Sequence, residues 1–169
     1  MKPLPSVERV RELLDYDPET GLFTWKVNRG SAKVSCVAGS KNSKGYLLIE
    51  IDRKKCQAHR LAWLFCYGSW PKNMIDHVNG DRTDNRVNNL REATVDQNLQ
   101  NLHKAYKTSS TGLLGVCKHA CGKFQANIRI PGKRLYLGLF NTPEEAHRAY
   151  IKAKIRLHPF NTMSLIDKE

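Results

Sequence analysis

The residues best suited to chemistry gather in one stretch, Met74 to Asn98. A short apolar run ends in Asp76-His77, a polar loop follows from Asn79 to Arg86, and an extended stretch at Leu90 to Ala93 leads into a helix. Thr94 with Gln97 three residues on predicts a capping box for that helix. A hairpin running into a helix would set Asp76-His77 beside the first helical turn, where Asn98 lies. Phosphodiester hydrolysis needs a hard cation on the phosphate and a base to deprotonate water. Asp76 offers a carboxylate oxygen and Asn98 an amide oxygen, both suited to Mg²⁺ or Mn²⁺, which keep several waters beside few protein ligands. His77 titrates near neutrality and could be the base. The blander reading of Asp76-His77 alone is a polar turn with an exposed imidazole.

The elements that must position these residues are patterned upstream. Val7, Val10, Leu13 and Leu14 form a helical stripe behind Ser6 as N-cap, and Asp17-Pro18-Glu19-Thr20-Gly21 ends it. Leu22 to Val27 and Tyr46 to Ile51 read as strands. Ala58 to Tyr67 is long enough for a helix that stops at Gly68 and Pro71. On that segment His59 with Arg60 could touch phosphate, or His59 could be a buried, hydrogen-bonded residue. Trp25, Trp63 and Trp70 sit among apolar neighbours and read as core.

Downstream, 115–118, 123–130 and 133–140 read as three strands, the second pair joined at Pro131-Gly132. In the middle strand Phe124, Ala126, Ile128 and Ile130 share one face while Lys123, Gln125, Asn127 and Arg129 share the other. Thr142-Pro143-Glu144-Glu145 opens a final helix with a second capping box, and Ala146, Ala149, Tyr150 and Ala153 supply its apolar stripe. The free sheet face is basic and polar. It is either an ordinary solvated face or a polyanion-binding one, and its excess of donors favours the second.

The chain has 169 residues with 28 Lys+Arg against 16 Asp+Glu, a net charge of +12 and a pI near 9.7. That size excludes a large multidomain enzyme, and that charge points to nucleic acid ahead of an anionic membrane surface. Residues 106–169 are the more basic part, with 11 basic against 4 acidic. No apolar run approaches the about 20 residues of a membrane span, and the charged N-terminal stretch is not a secretory signal. Five scattered cysteines fit a reducing compartment and read mostly as small buried hydrophobes. Cys117, His119 and Cys121 fall at metal-ligand spacing, but no second pair follows.

Asp76-His77, Asn79-Gly80-Asp81, Asp84-Asn85-Arg86, Asn88-Asn89-Leu90-Arg91 and Gln97-Asn98 resemble the HNH endonucleases of ββα-metal fold, particularly the phage and intron homing-type branch. The resemblance spans roughly 58–103, and Asp15 to Gly21 with Phe23-Thr24-Trp25 is also typical of such proteins. It implies that His77 is the general base, that Asn89 orients it, and that Asp76 with Asn98 holds one divalent cation on the scissile phosphate. The third letter of the family name is Asn98 here rather than His, which favours Mg²⁺ or Mn²⁺ over zinc or nickel.

Residues 112–158 resemble an AP2-type DNA-binding domain, through Gly115-Val116, the 123–130 strand, Tyr136 to Phe140, Thr142 to Ala146 and Ala149-Tyr150. In that family the sheet enters the major groove, which maps base and phosphate contacts onto Lys118, His119, Lys123, Gln125, Asn127, Arg129, Arg134 and Tyr136. Cys117, Cys121, Asn127 and Leu139 depart from the family's usual residues, which puts its usual target preference in doubt.

The expected architecture is α+β. A nuclease domain over 1–105, with a scaffold at 1–57 and a ββα-metal core at 58–105, would be joined by a linker at 106–114 to a three-stranded antiparallel sheet plus helix at 115–160. The expected function is metal-dependent endonucleolytic cleavage of double-stranded DNA, with Arg60 as a further DNA contact and nicking the simplest outcome for a monomer. An obligate protein partner is not expected, and the expected compartment is intracellular, the cytoplasm of a bacterial or phage-infected cell. The competing reading is a sequence-specific DNA-binding regulator whose nuclease module no longer cuts.

Overall fold

The computed structural model describes residues 4–30 and 32–163, and the chain divides into two compact units, Met1–Ala93 and Thr94–Glu169. The first unit opens with helix α1 (Val7–Leu13), capped by Ser6, whose hydroxyl accepts from the Arg9 N–H. Strand β1 (Leu14–Asp17) follows without a break and pairs antiparallel with β2 (Leu22–Trp25). Leu14 is therefore a strand residue, although it continues the helical apolar stripe. The alternation of buried Leu14 and Tyr16 with exposed Asp15 and Asp17 suits one covered sheet face.

A second small sheet orders β3 (Ser40–Lys41), β4 (Leu47–Ile51) and β5 (Lys54–Gln57), all antiparallel. Helix α2 (Ala58–Tyr67) starts directly after β5 and ends at Gly68, which takes the left-handed conformation and donates to Leu64 O. Strand β6 (Met74–His77) pairs antiparallel with β7 (Leu90–Ala93), and a 3-10 turn, Val87–Asn89, precedes β7. Val10, Leu14, Phe23, Ile49, Leu61 and Leu64 form the centre of this unit's core, with Ile75 and Leu90 tying the β6–β7 hairpin to it. Trp25 is buried, and Trp63 and Trp70 pack on the same core.

The second unit begins with α3 (Val95–Gln100), whose Thr94–Gln97 capping box is complete on both sides. Strands β8 (Val116–Lys118), β9 (Phe124–Ile130) and β10 (Lys133–Phe140) form an antiparallel sheet with β9 in the middle, and α4 (Pro143–Leu157) starts from the Thr142–Glu145 capping box. Ala126 and Ala146 are fully buried, so their small side chains let helix and sheet approach closely. Gly138 sits at a bulge in β10.

Residues 102–114 belong to this unit's packing. Leu102 and Ala105 lie against the cluster of Leu114, Ile128, Tyr150 and Ala153, and Thr111 Oγ1 donates to Val116 O. The chain after α4 also turns back on α3. Thr162 donates through both its N–H and its hydroxyl to Asn101 Oδ1, and the buried Lys154 ammonium donates to Leu102 O.

Candidate active site

Strand β6 carries Ile75, Asp76 and His77 into the interior, with Asp76 6% and His77 4% exposed. Asp76 lies directly opposite Arg91 in the β6–β7 register. The guanidinium donates twice to Asp76 Oδ2, from Nε at 3.0 Å and Nη2 at 2.9 Å. Opposite charges across an antiparallel pair stabilise it, and both bonds converge on the one oxygen, Oδ2.

The His77 ring is held by Asn85, whose Oδ1 lies 3.3 Å from Nε2. The Asn85 amide nitrogen donates to Thr83 O at 3.2 Å, which turns its oxygen toward the histidine. That pairing places the neutral ring's proton on Nε2 and leaves Nδ1 as the basic nitrogen. Burial holds the His77 pKa below its ordinary value, partly offset by the Asn85 bond and by the charges of Asp76, Asp81 and Asp84. The imidazole is therefore neutral at physiological pH, the form a general base needs.

The loop from Asn79 to Arg86 is built by its own side chains. Asn79 Oδ1 accepts from the Asp81 N–H, Asp81 Oδ1 accepts from Thr83, and Asp84 accepts from Asn79 and Arg86. Asn89 closes it, accepting from the Asn79 N–H at 3.0 Å and donating to Asp84 O at 2.8 Å. The side chain bonded to the His77 ring is thus Asn85, while Asn89 staples the loop that holds Asn85.

Two distant parts of the first unit buttress this loop. The Tyr16 hydroxyl donates to Asn85 O at 2.7 Å in a buried contact. Gly21, with φ +72°, lets the β1–β2 turn touch the backbone at Asn85, where an added Cβ would fall 2.6 Å from Asn85 C and closer still to Arg86 N. The sequence pattern marks Asp15 to Gly21 as a turn-containing segment and does not connect either residue to the site. The signal for both was the Asp15 to Gly21 segment, whose significance lies in a partner 69 residues on from Tyr16.

Behind His77, the buried ring of His59 and the half-buried ring of Tyr46 complete a cluster, with His59 5.0 Å from His77 and Tyr46 5.3 Å from His59, centroid to centroid. His59 is 4% exposed and its pKa is pushed down to about 3 by burial, then by the charges of His77 and Arg60. His59 is buried as the packing alternative expects, but its Nδ1 has no hydrogen-bond partner among the described residues. Arg60 is half-buried, lies over Trp70 and donates to the carbonyls of Pro71 and Asn73.

Asn98 is half-buried on α3, in the second unit. Among the described residues no three His, Cys, Asp or Glu side chains gather closely enough to share a metal. A closed structural zinc site at Cys117, His119 and Cys121 is therefore not formed: His119 Nδ1 lies 3.0 Å from Cys121 Sγ, but Cys117 Sγ points to Gln125 O. The cysteines depart from the sequence reading in burial too. Only Cys56 is buried, while Cys36, Cys66 and Cys121 are exposed and Cys117 is intermediate; the three exposed ones lie near turns or at a helix end, where apolar neighbours in sequence do not enclose them. The donors present, one carboxylate and amide oxygens, fit a hard cation that keeps most of its waters rather than a soft one.

On the second unit's sheet, Lys118, His119, Lys123, Arg129, Arg134 and Tyr136 are exposed and Gln125 is half-buried. Asn127 is buried, its amide accepting from Gln125 and donating to Cys117 Sγ. Arg129 and Arg134 are directly opposite one another in the β9–β10 register. Like charges in that position repel, so an anion between them would stabilise the pair.

With this geometry in view, the comparisons with known proteins divide along the chain. Residues 56–100 match the HNH endonuclease family model. That stretch runs from the end of β5 through α2 and the β6–β7 hairpin to α3, the ββα order of the fold. Over 72 residues the chain is 33% identical to an uncharacterized HNH endonuclease of Acanthamoeba polyphaga mimivirus, covering 38% of this chain and 18% of the relative. The C-terminal part is similar to plant AP2-type proteins. Identity is 39% over 62 residues to an APETALA2-like protein of Oryza sativa, covering 36% of this chain and 14% of the relative. It is 35% over 86 residues to an ethylene-responsive transcription factor of Arabidopsis thaliana, covering 50% of this chain and 25% of the relative. The chain thus spans a quarter or less of the length of these curated relatives. No solved structure matches it significantly. No helix among the described residues is long and apolar enough to cross a membrane.

Proposed function

We propose that this protein is a metal-dependent DNA endonuclease of the HNH homing type, guided to duplex DNA by its C-terminal sheet. The observation that carries the reading is the buried, neutral His77 beside Asp76 on β6, its tautomer set by Asn85 within the HNH-matching segment. His77 Nδ1 takes the proton from the attacking water as the new P–O bond forms, and the bond from phosphorus to the 3′ oxygen breaks, that oxygen taking a proton from solvent. Asn85 holds the ring directly, and Asn89 orients it through the loop that carries Asn85.

Asp76, together with Asn98 by its offset in the sequence motif, would hold one Mg²⁺ or Mn²⁺, which when bound supplies charge stabilisation to the scissile phosphate and the leaving oxygen. Asp76 is shared with Arg91, so its affinity for a cation is modest without a substrate phosphate. Lys118, His119, Lys123, Gln125, Arg129, Arg134 and Tyr136 position the duplex, with Asn127 shaping the face from beneath. Arg60 is bound to backbone carbonyls and contributes packing ahead of DNA contact. Products with 5′-phosphate and 3′-hydroxyl ends follow from the resemblance, and a monomer with one active site nicks.

The test is incubation of supercoiled plasmid with wild type and His77→Ala in Mg²⁺, Mn²⁺ or EDTA. Metal-dependent nicking by wild type alone is expected, with DNA binding preserved in the variant. Cutting at wild-type rate by His77→Ala would overturn the assignment. Arg129→Ala and Lys118→Ala should weaken binding and flatten its dependence on salt.

A further inference from the structure

The second unit contains a cavity of about 630 Å³ between α3 and the turn joining β9 to β10. Its lining divides by chemistry. Leu99, Leu102, Ile130 and Tyr150 are apolar or aromatic, whereas Arg129, Lys133 and Arg134 bring three cationic groups against the single carboxylate of Asp96. Tyr106, 63% exposed, also lines it. A second hollow of about 270 Å³ shares Tyr106 and Arg134 and reaches Cys117 and Asn127 of the sheet. The two make one track past an exposed aromatic ring.

His158 supplies an independent sign of a ligand. It lines the larger cavity and is 6% exposed. Its Nε2 lies 2.8 Å from Arg129 O, an atom that only accepts, so Nε2 carries the proton. Nδ1 is then an acceptor in the neutral ring, and among the described residues it is buried without a hydrogen-bond partner. A buried polar atom left unpaired is unfavourable, and since the atom itself is closed to solvent, a shift of the ring toward the cavity would be what brings it to a donor on a bound group.

We propose that this track binds a single DNA strand, with one unstacked base in the larger cavity and its phosphates along Arg129, Lys133 and Arg134. A base supplies a flat apolar face for Tyr106 and the floor, and an N–H donor for the His158 acceptor. A duplex presents its charged outer surface and cannot use an apolar floor in a cavity of this size, which falls in the range of about 300–1,000 Å³ that takes one small molecule. The site goes beyond duplex recognition by the sheet and needs no cleavage, so it stands or falls apart from the nuclease reading.

Fluorescence anisotropy of the full chain in EDTA tests it, using labelled oligo-dT, a duplex of equal length, and a strand of the same length with abasic sites in place of bases. Wild type should bind oligo-dT about fivefold or more tightly than the abasic strand, a loss of the order expected for one stacked base. Tyr106→Ala should lose that margin while its affinity for duplex stays within about twofold, and Tyr106→Phe should keep it. Equal affinity for dT and abasic strands in wild type would overturn the site, as would an equal loss on duplex and single strand in Tyr106→Ala. Displacement of oligo-dT by thymidine monophosphate at equal concentrations would overturn the assignment to a strand.

Discussion

His59 meets His77 edge to face, their ring centroids 5.0 Å apart and their planes at 82°. Both rings are buried, so a proton on either is disfavoured by desolvation, and a proton on one disfavours a proton on the other. His59 thus acts as a neutral wall for the candidate base. It preserves the state in which His77 can accept a proton.

Stability should fall with acid for this reason. Below the ordinary histidine pKa of 6.5 the unfolded chain takes up protons that the folded pair refuses, so His59 contributes a slope approaching about 1.4 kcal/mol per pH unit and His77 adds one of the same sign. For His59 the window runs from 6.5 down to about 3. Urea unfolding between pH 7 and pH 5 should show the decline, and His59→Phe, which keeps an edge contact, should show a shallower one. An identical slope in the variant would rule out the buried neutral His59.

The same shift on His77 sets the acid side of the activity profile. A base must be unprotonated, and the folded value lies below 6.5. The acid limb of kcat/KM with plasmid DNA should therefore have its midpoint below pH 6.5. A midpoint above 6.5 would contradict a desolvated base.

Asp76 and Arg91 make a separable prediction about structure and activity. Asp76→Asn leaves a half-buried guanidinium without its carboxylate, and the loss should be about 1–3 kcal/mol, below the full penalty of a completely buried pair. Adding Arg91→Met should recover most of that stability. Cleavage should stay absent in the double variant, because the carboxylate is needed for the cation and not only for the ion pair. Recovery of activity with Arg91→Met would remove Asp76 from the metal site.

Much of this architecture was legible because its signals are local. Both capping boxes, the Ser6 cap, the stop at Gly68 and the three C-terminal strands each depend on neighbours within a few residues. Strand β5 was not legible: Lys54-Lys55-Cys56-Gln57 buries only Cys56, and the turn before it places Asp52 and Arg53 at positive φ without a glycine to announce it. Segment 106–114 has a linker's composition, yet Leu114 and Thr111 tie it into the second unit. In the site, Asp76 and His77 stood out by residue type and adjacency. Asn85 did not, because its meaning comes from a loop fold set by Asp81, Thr83 and Asn89, and from Tyr16 and Gly21 far along the chain.

Gly21 gives that long-range support a direct test. At φ +72° with the Asn85 backbone pressed against its α-carbon, Gly21→Ala adds both strain and a clash. The relief available is withdrawal of the 84–86 loop, which loosens Asn85 from His77. The expected result is a fall in cleavage of tenfold or more, on the order of 1.4 kcal/mol in the barrier, with DNA affinity unchanged. Wild-type turnover would show that the turn does not support the loop.

Lys154 is fully buried in the second unit, and burial lowers its pKa to about 8. Its ammonium donates to Leu102 O and approaches Met163 Sδ at 3.3 Å. Below pH 8 the folded protein bears the penalty of a buried cation, and between pH 8 and 10.5 the unfolded chain holds the proton more tightly than the folded one, so this penalty disappears as pH rises. Lys154→Met has similar volume and no charge. It should stabilise the protein by about 1–3 kcal/mol at pH 7, the hydrogen bond to Leu102 O offsetting part of the gain. That advantage should shrink from pH 8 upward and be gone by about pH 10.5. Chemical unfolding at pH 7, 8.5 and 10 resolves it, and a variant less stable at every pH would mean that the bond to Leu102 outweighs the buried charge.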